Sequence, residues 1–237
     1  MSSKQQGLRS LVTALLLGGG GPLSAEAPPK KITGALEITI RVKTVLPPQR
    51  VQVIADSEKC GVERTEKSFQ VDDQKNLHYA AVWLVSDRTG GEGQFNTKNE
   101  IVLEKCDSSP RVLVVRPGEF VHISNHDSFL YHLHSISRRN PPSVFVLPPN
   151  LKETKTKFDQ PEIVKIVGDI HPWVKIFVVV ASSPLYSITN GKGEARFEHL
   201  EPGSYKVHLW HELLGEKILE DSIVVTGKTE KRTIEWD

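Results

Sequence analysis

The sequence predicts an all-β protein, one large β-domain or two small ones, and three observations carry that prediction. In the 237 residues no apolar pattern with a period of 3.6 persists beyond a few positions, so long amphipathic helices are not expected. The chain is instead broken into short runs rich in Val, Ile, Thr and aromatic residues, separated by Pro, Gly, Asn and Asp. The clearest run, Ile32–Val42, places Ile32, Gly34, Leu36, Ile38, Ile40 and Val42 at one parity and Thr33, Glu37, Thr39 and Arg41 at the other. That is the period of two of a half-buried strand.

Residues 1–27 have the layout of an export signal. Lys4 and Arg9 supply a positive start, Leu11–Leu17 a short apolar core, and Ala25-Glu26-Ala27 an A-x-A cleavage pattern. The apolar core is too short for a bilayer, which needs about 20 residues, so the mature chain is expected to be periplasmic or secreted, with no membrane insertion. Cleavage would remove two of the 30 basic and one of the 29 acidic residues, leaving 28 of each. A formally neutral chain offers no electrostatic basis for binding nucleic acid.

Two cysteines survive cleavage, Cys60 and Cys106. In an oxidising compartment an even count favours a disulfide. The alternative, one cysteine acting as a metal ligand, lacks a C-x-x-H spacing to support it.

After Ile32–Val42, Pro47-Pro48 ends the first strand and Val51–Ala55 starts a second. Leu77–Val85 is a third, with Trp83 expected in the core. Gly90-Gly91-x-Gly93 precedes a polar segment with no helical pattern, so it is expected as a surface loop and not a phosphate cradle. Ile101–Leu103, Val112–Arg116 and Glu119–Ser124 are short strands, the last two joined through Arg116-Pro117-Gly118. Arg138–Phe158 is proline-rich and basic, expected as a long surface loop. Its Lys152, Lys155 and Lys157 would either keep the surface soluble or dock an acidic periplasmic or membrane-complex redox partner protein.

Histidines concentrate in Val121–Ser137, which holds His122, His126, His132 and His134. A further histidine, His171, sits in Gly168-Asp169-Ile170-His171-Pro172-Trp173-Val174, between the strand-like runs Glu162–Val167 and Lys175–Ala181. Residues two apart on a strand share a face, so His132 and His134 could meet one site. The pattern Asn125-x-Asp127, then His132-x-His134, then Asp169-Ile170-His171-Pro172-Trp173, resembles the cupredoxins. It is most similar to a periplasmic plastocyanin-like (methylamine-utilisation-like) group, whose motifs read N-x-D, then H-N-x-H, then C-D-x-H-P-W-M.

The resemblance implies a Greek-key cupredoxin-like domain over residues 28–181 and copper as cofactor, with His132 and His171 as retained metal ligands and His134 beside them. Two positions depart from it. Gly168 stands where the copper thiolate belongs and Val174 where the axial methionine belongs. A type 1 site draws its Cu(I) affinity and colour from that thiolate, so its loss predicts a degenerate centre, able at most to hold Cu(II) or Zn(II) through imidazoles. His122 and His126 are expected as ordinary solvated or hydrogen-bonded imidazoles.

From Ser182 the composition changes. Tyr186–Phe197 reads as strand, Asn190-Gly191 turn, strand. Together with Leu200-Glu201-Pro202-Gly203-Ser204-Tyr205 it resembles carboxypeptidase-regulatory-like or transthyretin-like sandwich modules. This places a second module at 182–237, completed, if short, by residues 32–55. His211 and Glu212 are neighbours that face opposite sides of a strand, and packing or interdomain hydrogen bonding suits them better than shared chemistry. No G-x-S-x-G elbow, H-E-x-x-H or distinctive carboxylate pair points to an enzyme. Three functions follow: an exported non-enzymatic binding or assembly protein with a degenerate copper site, a periplasmic copper electron carrier, or a metal-free structural or adhesive sandwich.

Overall fold

The computed structural model describes residues 32–88, 90–93 and 98–237; the expected signal segment, 1–27, lies outside them. The chain is nearly all β, and its path weaves between two sandwiches. It opens with β1 (Gly34–Val42), leaves through β2 (Arg50–Gln52), a single-turn helix α1 (Ser57–Cys60) and β3 (Glu63–Thr65), then returns as β4 (Ala81–Val85) and β5 (Glu92–Gly93). Nine strands build the second sandwich: β6 (Glu100–Glu104), β7 (Asp107–Ser109), β8 (Val112–Val115), β9 (Phe120–Asn125), β10 (Tyr131–Ile136), β11 (Val144–Leu147), β12 (Thr154–Lys157), β13 (Ile163–Gly168) and β14 (Lys175–Val180). The first sandwich is then completed by β15 (Tyr186–Ile188), β16 (Glu194–Leu200), β17 (Gly203–His211), β18 (Gly215–Ile218), β19 (Ile223–Val225) and β20 (Thr229–Trp236).

The first sandwich packs the sheet β20-β1-β16-β5 on the sheet β15-β4-β17-β18. β1 realises its alternation: Leu36, Ile38 and Ile40 are fully buried against Val82, Phe197 and Leu209, among others. It pairs antiparallel with β16 and parallel with β20, so it is a central strand of this sandwich. β1, from the stretch 32–55 that was the candidate to complete the C-terminal module, and β4 share a core with residues 185–236. The second sandwich packs β11-β10-β13-β14-β8 on β12-β9-β6-β7. The excursion after β1 is tied to this second sandwich: Val53 and Cys60 lie in its core, and Cys60 is disulfide-bonded to Cys106 across a sequence separation of 46.

Several local expectations change. Tyr186–Phe197 is strand, turn, strand as expected, but its two strands do not pair with each other: β15 pairs with β4 while β16 pairs with β1 and β5. Thr189 is held at the crossing by Ala80 and Leu77, its hydroxyl donating to the Leu77 carbonyl at 2.7 Å. The chain therefore changes sheets through the Asn190 turn, whose side-chain carbonyl accepts from Lys192 and Glu194 N–H. The loop expected over Arg138–Phe158 contains β11 and β12, since Phe145 and Leu147 alternate into the core while Val144 and Val146 face out. Trp83 is not a core residue. Val82 and Leu84 take the inward parity of β4, leaving Trp83 half-buried on its outer face.

A third apolar cluster, Ala81, Val112, Val114, Phe177, Val179 and Ala181, forms the seam between the sandwiches. Trp210 packs on Phe177 there with ring centroids 5.1 Å apart. Beside it Arg111 makes a two-pronged ion pair with Glu212 at 2.5 and 2.9 Å and donates to the Ser68 hydroxyl at 3.2 Å. His211 and Glu212 do take opposite sides: Glu212 reaches across the seam, and His211 turns inward edge-on to Phe69. Burial, with help from the Arg111 guanidinium, pushes the His211 imidazole down to about 4.

That shift has a sign in stability. The unfolded chain, with histidine near its ordinary value of 6.5, binds a proton that the native state refuses, so stability falls as pH drops through 6.5 toward 4 and is level above. The expected loss attributable to this one group is about 2 kcal/mol by pH 5. Denaturant unfolding of the wild type and of His211→Gln at pH 7.5 and pH 5 checks it: the variant should lose less on acidification, and equal losses would refute the assignment.

Candidate functional site

The positions singled out by the histidine motifs lie at one end of the second sandwich, where β10 runs beside the turn after β13. Asn125, fully buried, braces this end. Its amide donates to the carbonyls of Phe129, Leu147 and Pro148 at 2.8–3.0 Å, and its carbonyl accepts from Asp127 N–H. Asp127 in turn accepts from the N–H groups of Lys105 and Cys106 and from the Tyr131 hydroxyl, the last at 2.8 Å. The N-x-D element is thus a structural clamp that joins the β6–β7 turn, the β9–β10 loop and β10.

On β10 the parity separates the residues the sequence had grouped. Tyr131, Leu133 and Ser135 face inward, and His132 and His134 face outward. The two outward imidazoles do share a site, but its centre is Asp169. Nδ1 of His132 lies 2.5 Å from one carboxylate oxygen of Asp169, and Nδ1 of His134 lies 2.6 Å from the other. These bonds, His132 first, hold the exposed Asp169 carboxyl below its ordinary range. His171 is not part of this group. It is fully buried, and its ring packs among Tyr131, Phe129 and Trp173 with centroids 4.7, 5.1 and 5.2 Å away.

His171 Nε2–H donates to Asp56 at 2.9 Å, since an ionised carboxylate can only accept. Asp56 is presented from the excursion, at the start of α1, in the left-handed region at φ 53°. The other ring nitrogen, Nδ1, is buried without a hydrogen-bond partner among the described residues.

The remaining donors needed for copper are not there. Matched to N-x-D … H-N-x-H, the inward residue that meets His171 is Tyr131, one position before His132. Burial, then its bond to Asp127, pushes its hydroxyl strongly upward, so it stays a neutral donor and not a phenolate ligand. Gly168 has no side chain and no room for one. A Cβ there would lie 2.4 Å from the His171 carbonyl oxygen, because the turn is drawn tight by Gly168 N–H to Val174 and Val174 N–H to His171. Val174 is buried hydrocarbon. Copper therefore has one nitrogen donor where a trigonal N₂S set is required, and this turn does not fit it. Among the described residues no group of three or more His, Cys, Asp or Glu side chains is arranged to hold a metal ion.

The sequence missed Tyr131, Phe129 and Asp56. Counting the motif from Asn125 would have found Tyr131, whereas nothing local marks Asp56. Trp173 closes the site from below, its indole N–H donating to the Cys106 carbonyl at 2.8 Å, so the disulfide backs the aromatic cluster. His122 is half-exposed beside Glu153 at 3.2 Å, and His126 is exposed at the end of β9.

Fold and site together define an all-β double-sandwich protein with a histidine enclosed by aromatic rings. No protein-family model matches the chain, and no curated protein matches it. Among solved structures, a purple cupredoxin from Nitrosopumilus maritimus aligns with TM-score 0.30 and 22% identity, over 35% of this chain and 98% of that one. A copper-containing nitrite reductase from Thermus scotoductus aligns with TM-score 0.31 and 20% identity, over 37% of this chain and 23% of that one. An amicyanin mutant in its reduced state aligns with TM-score 0.32 and 12% identity, over 42% of this chain and 99% of that one.

Proposed function

We propose that this is an exported, non-enzymatic protein of cupredoxin type whose type 1 copper centre has been replaced by a packed aromatic cluster, and that it acts by binding or assembly with a partner protein. What supports the reading is the set of residues around His171. The thiolate position is a glycine without space for a Cβ, the axial position is Val174, and the inward neighbour on β10 is Tyr131. The oxidised cysteine pair agrees with export. No helix among the described residues is long and apolar enough to cross a membrane. Electron transfer is disfavoured on this reading because the sulfur that couples copper to a partner is missing.

Titration of the purified protein with Cu(II) is expected to produce no absorption band near roughly 600 nm, the signature of a copper–thiolate bond. Gly168→Cys is the sharper test. It should fail to create the band, and it should lower stability by about 2 kcal/mol or more, because a backbone carbonyl must move to admit the side chain. A blue wild type, or a blue and fully stable Gly168→Cys protein, would overturn the proposal.

A further inference from the structure

A groove of about 620 Å³ opens where the two sandwiches splay apart beyond their seam, within the size range of small-molecule sites. One wall is the outer face of β4, β15 and β17. Trp83 stands directly opposite Tyr186 on one neighbouring strand and His208 on the other. It stacks on Tyr186 at 5.4 Å and 10°, and lies against His208 at 5.2 Å. Trp83, Tyr186 and Trp210 line this wall of the groove, and an aromatic edge carries the positive end of the ring quadrupole.

The opposite wall brings Lys165 of β13 and Arg138 beyond β10, with Ile136, Ile163 and Val179 supplying apolar surface between. The Lys165 ammonium, the Arg138 guanidinium and the indole N–H groups of Trp83 and Trp210 make no hydrogen bond to the described residues. On the acceptor side Glu162 is already engaged, taking the N–H groups of Arg138, Arg139 and Asn140 and the Asn140 amide. Glu216 is the other carboxylate on the lining. Unused donors, two of them full cations, thus face a groove with one uncommitted carboxylate, in a chain that is close to neutral overall.

We propose that this groove binds an organic oxyanion carried on a ring. The anion takes the Lys165 and Arg138 side chains together with the indole N–H donors, and the ring lies on the apolar strip. The ring is that of a free aromatic carboxylate or of an acidic sugar, which share a carboxylate borne on a six-membered ring. The proposal does not depend on the fate of the copper centre, since it uses no residue of the His171 cluster.

Tryptophan fluorescence provides the test, because Trp83 and Trp210 line the groove. The purified protein is titrated at fixed ionic strength with 4-hydroxybenzoate and with a glucuronic-acid disaccharide, each beside its neutral counterpart, 4-hydroxybenzamide or a glucose disaccharide. At least one anion should give a saturable change, and which one does identifies the source of the ring. Its neutral counterpart should bind about tenfold more weakly or worse, as should the anion to the Arg138→Gln, Lys165→Gln double variant, the cost of losing a charge-assisted hydrogen bond. Absence of saturable binding by either anion, equal binding of a neutral counterpart to the wild type, or undiminished binding to the double variant would overturn the proposal.

Discussion

Arg111→Ala is expected to destabilise the protein by about 3–5 kcal/mol, the cost of stranding one member of a buried ion pair. The Arg111 and Glu212 side chains are 7% and 9% exposed, and the guanidinium meets the carboxylate with two parallel bonds, the geometry that makes such a pair strong once it is desolvated. Removing arginine leaves the Glu212 carboxylate against the apolar seam without its two donors, and takes the guanidinium from Ser68 as well. Glu212→Ala should cost a similar amount for the mirrored reason. The informative comparison is Arg111→Met with Glu212→Leu, which removes both charges while keeping volume. That double variant should recover most of the loss, because two desolvation penalties vanish with the attraction they opposed. Chemical unfolding of the four proteins decides the matter. A single variant as stable as the wild type would mean that water reaches the pair and that it does not hold the sandwiches in register.

Breaking the Cys60–Cys106 disulfide has the second large expected effect. The bond closes a loop of 46 residues in sequence separation, for which the chain-entropy relation expects about 4 kcal/mol. Its structural consequence should be local. The excursion from β2 to β3 is fastened to the second sandwich by this bond, by Val53 in the core and by Asp56 on His171. In a Cys60→Ser, Cys106→Ser protein that segment should loosen first, exposing residues 44–68 to limited proteolysis. Cleavage no faster than in the wild type, with unfolding unchanged, would show that packing alone secures the excursion.

Much of this was legible in the chain. Strand alternation works because burying one face of a pleated sheet selects side chains two apart, and β1, β16 and β17 are plain in the sequence for that reason. β11 was missed, because the prolines and lysines around Val144-Phe145-Val146-Leu147 made the region read as a loop. The pairing of strands was less accessible, since β1 finds its partners in residues more than 150 positions away, and nothing local encodes that choice. The histidine motifs show the limit most sharply. His132 and His134 stand out as letters, yet a step of one residue moves a side chain through the sheet, so Tyr131 occupies the interior beside His171 while the two histidines meet Asp169 outside.

By itself, then, the sequence determined that the protein is built of strands, that Gly168 stands where the motif it resembles has a cysteine, and that two cysteines were available to pair. Composition and short-range periodicity are local properties, and each of these follows from them. Only the tertiary structure decided that the strands would interleave between two sandwiches, that Asp56 would cap a buried histidine, and that a donor-lined groove would open beside the seam. Those features depend on which surfaces meet, and that is settled by burying apolar area between segments far apart in the chain.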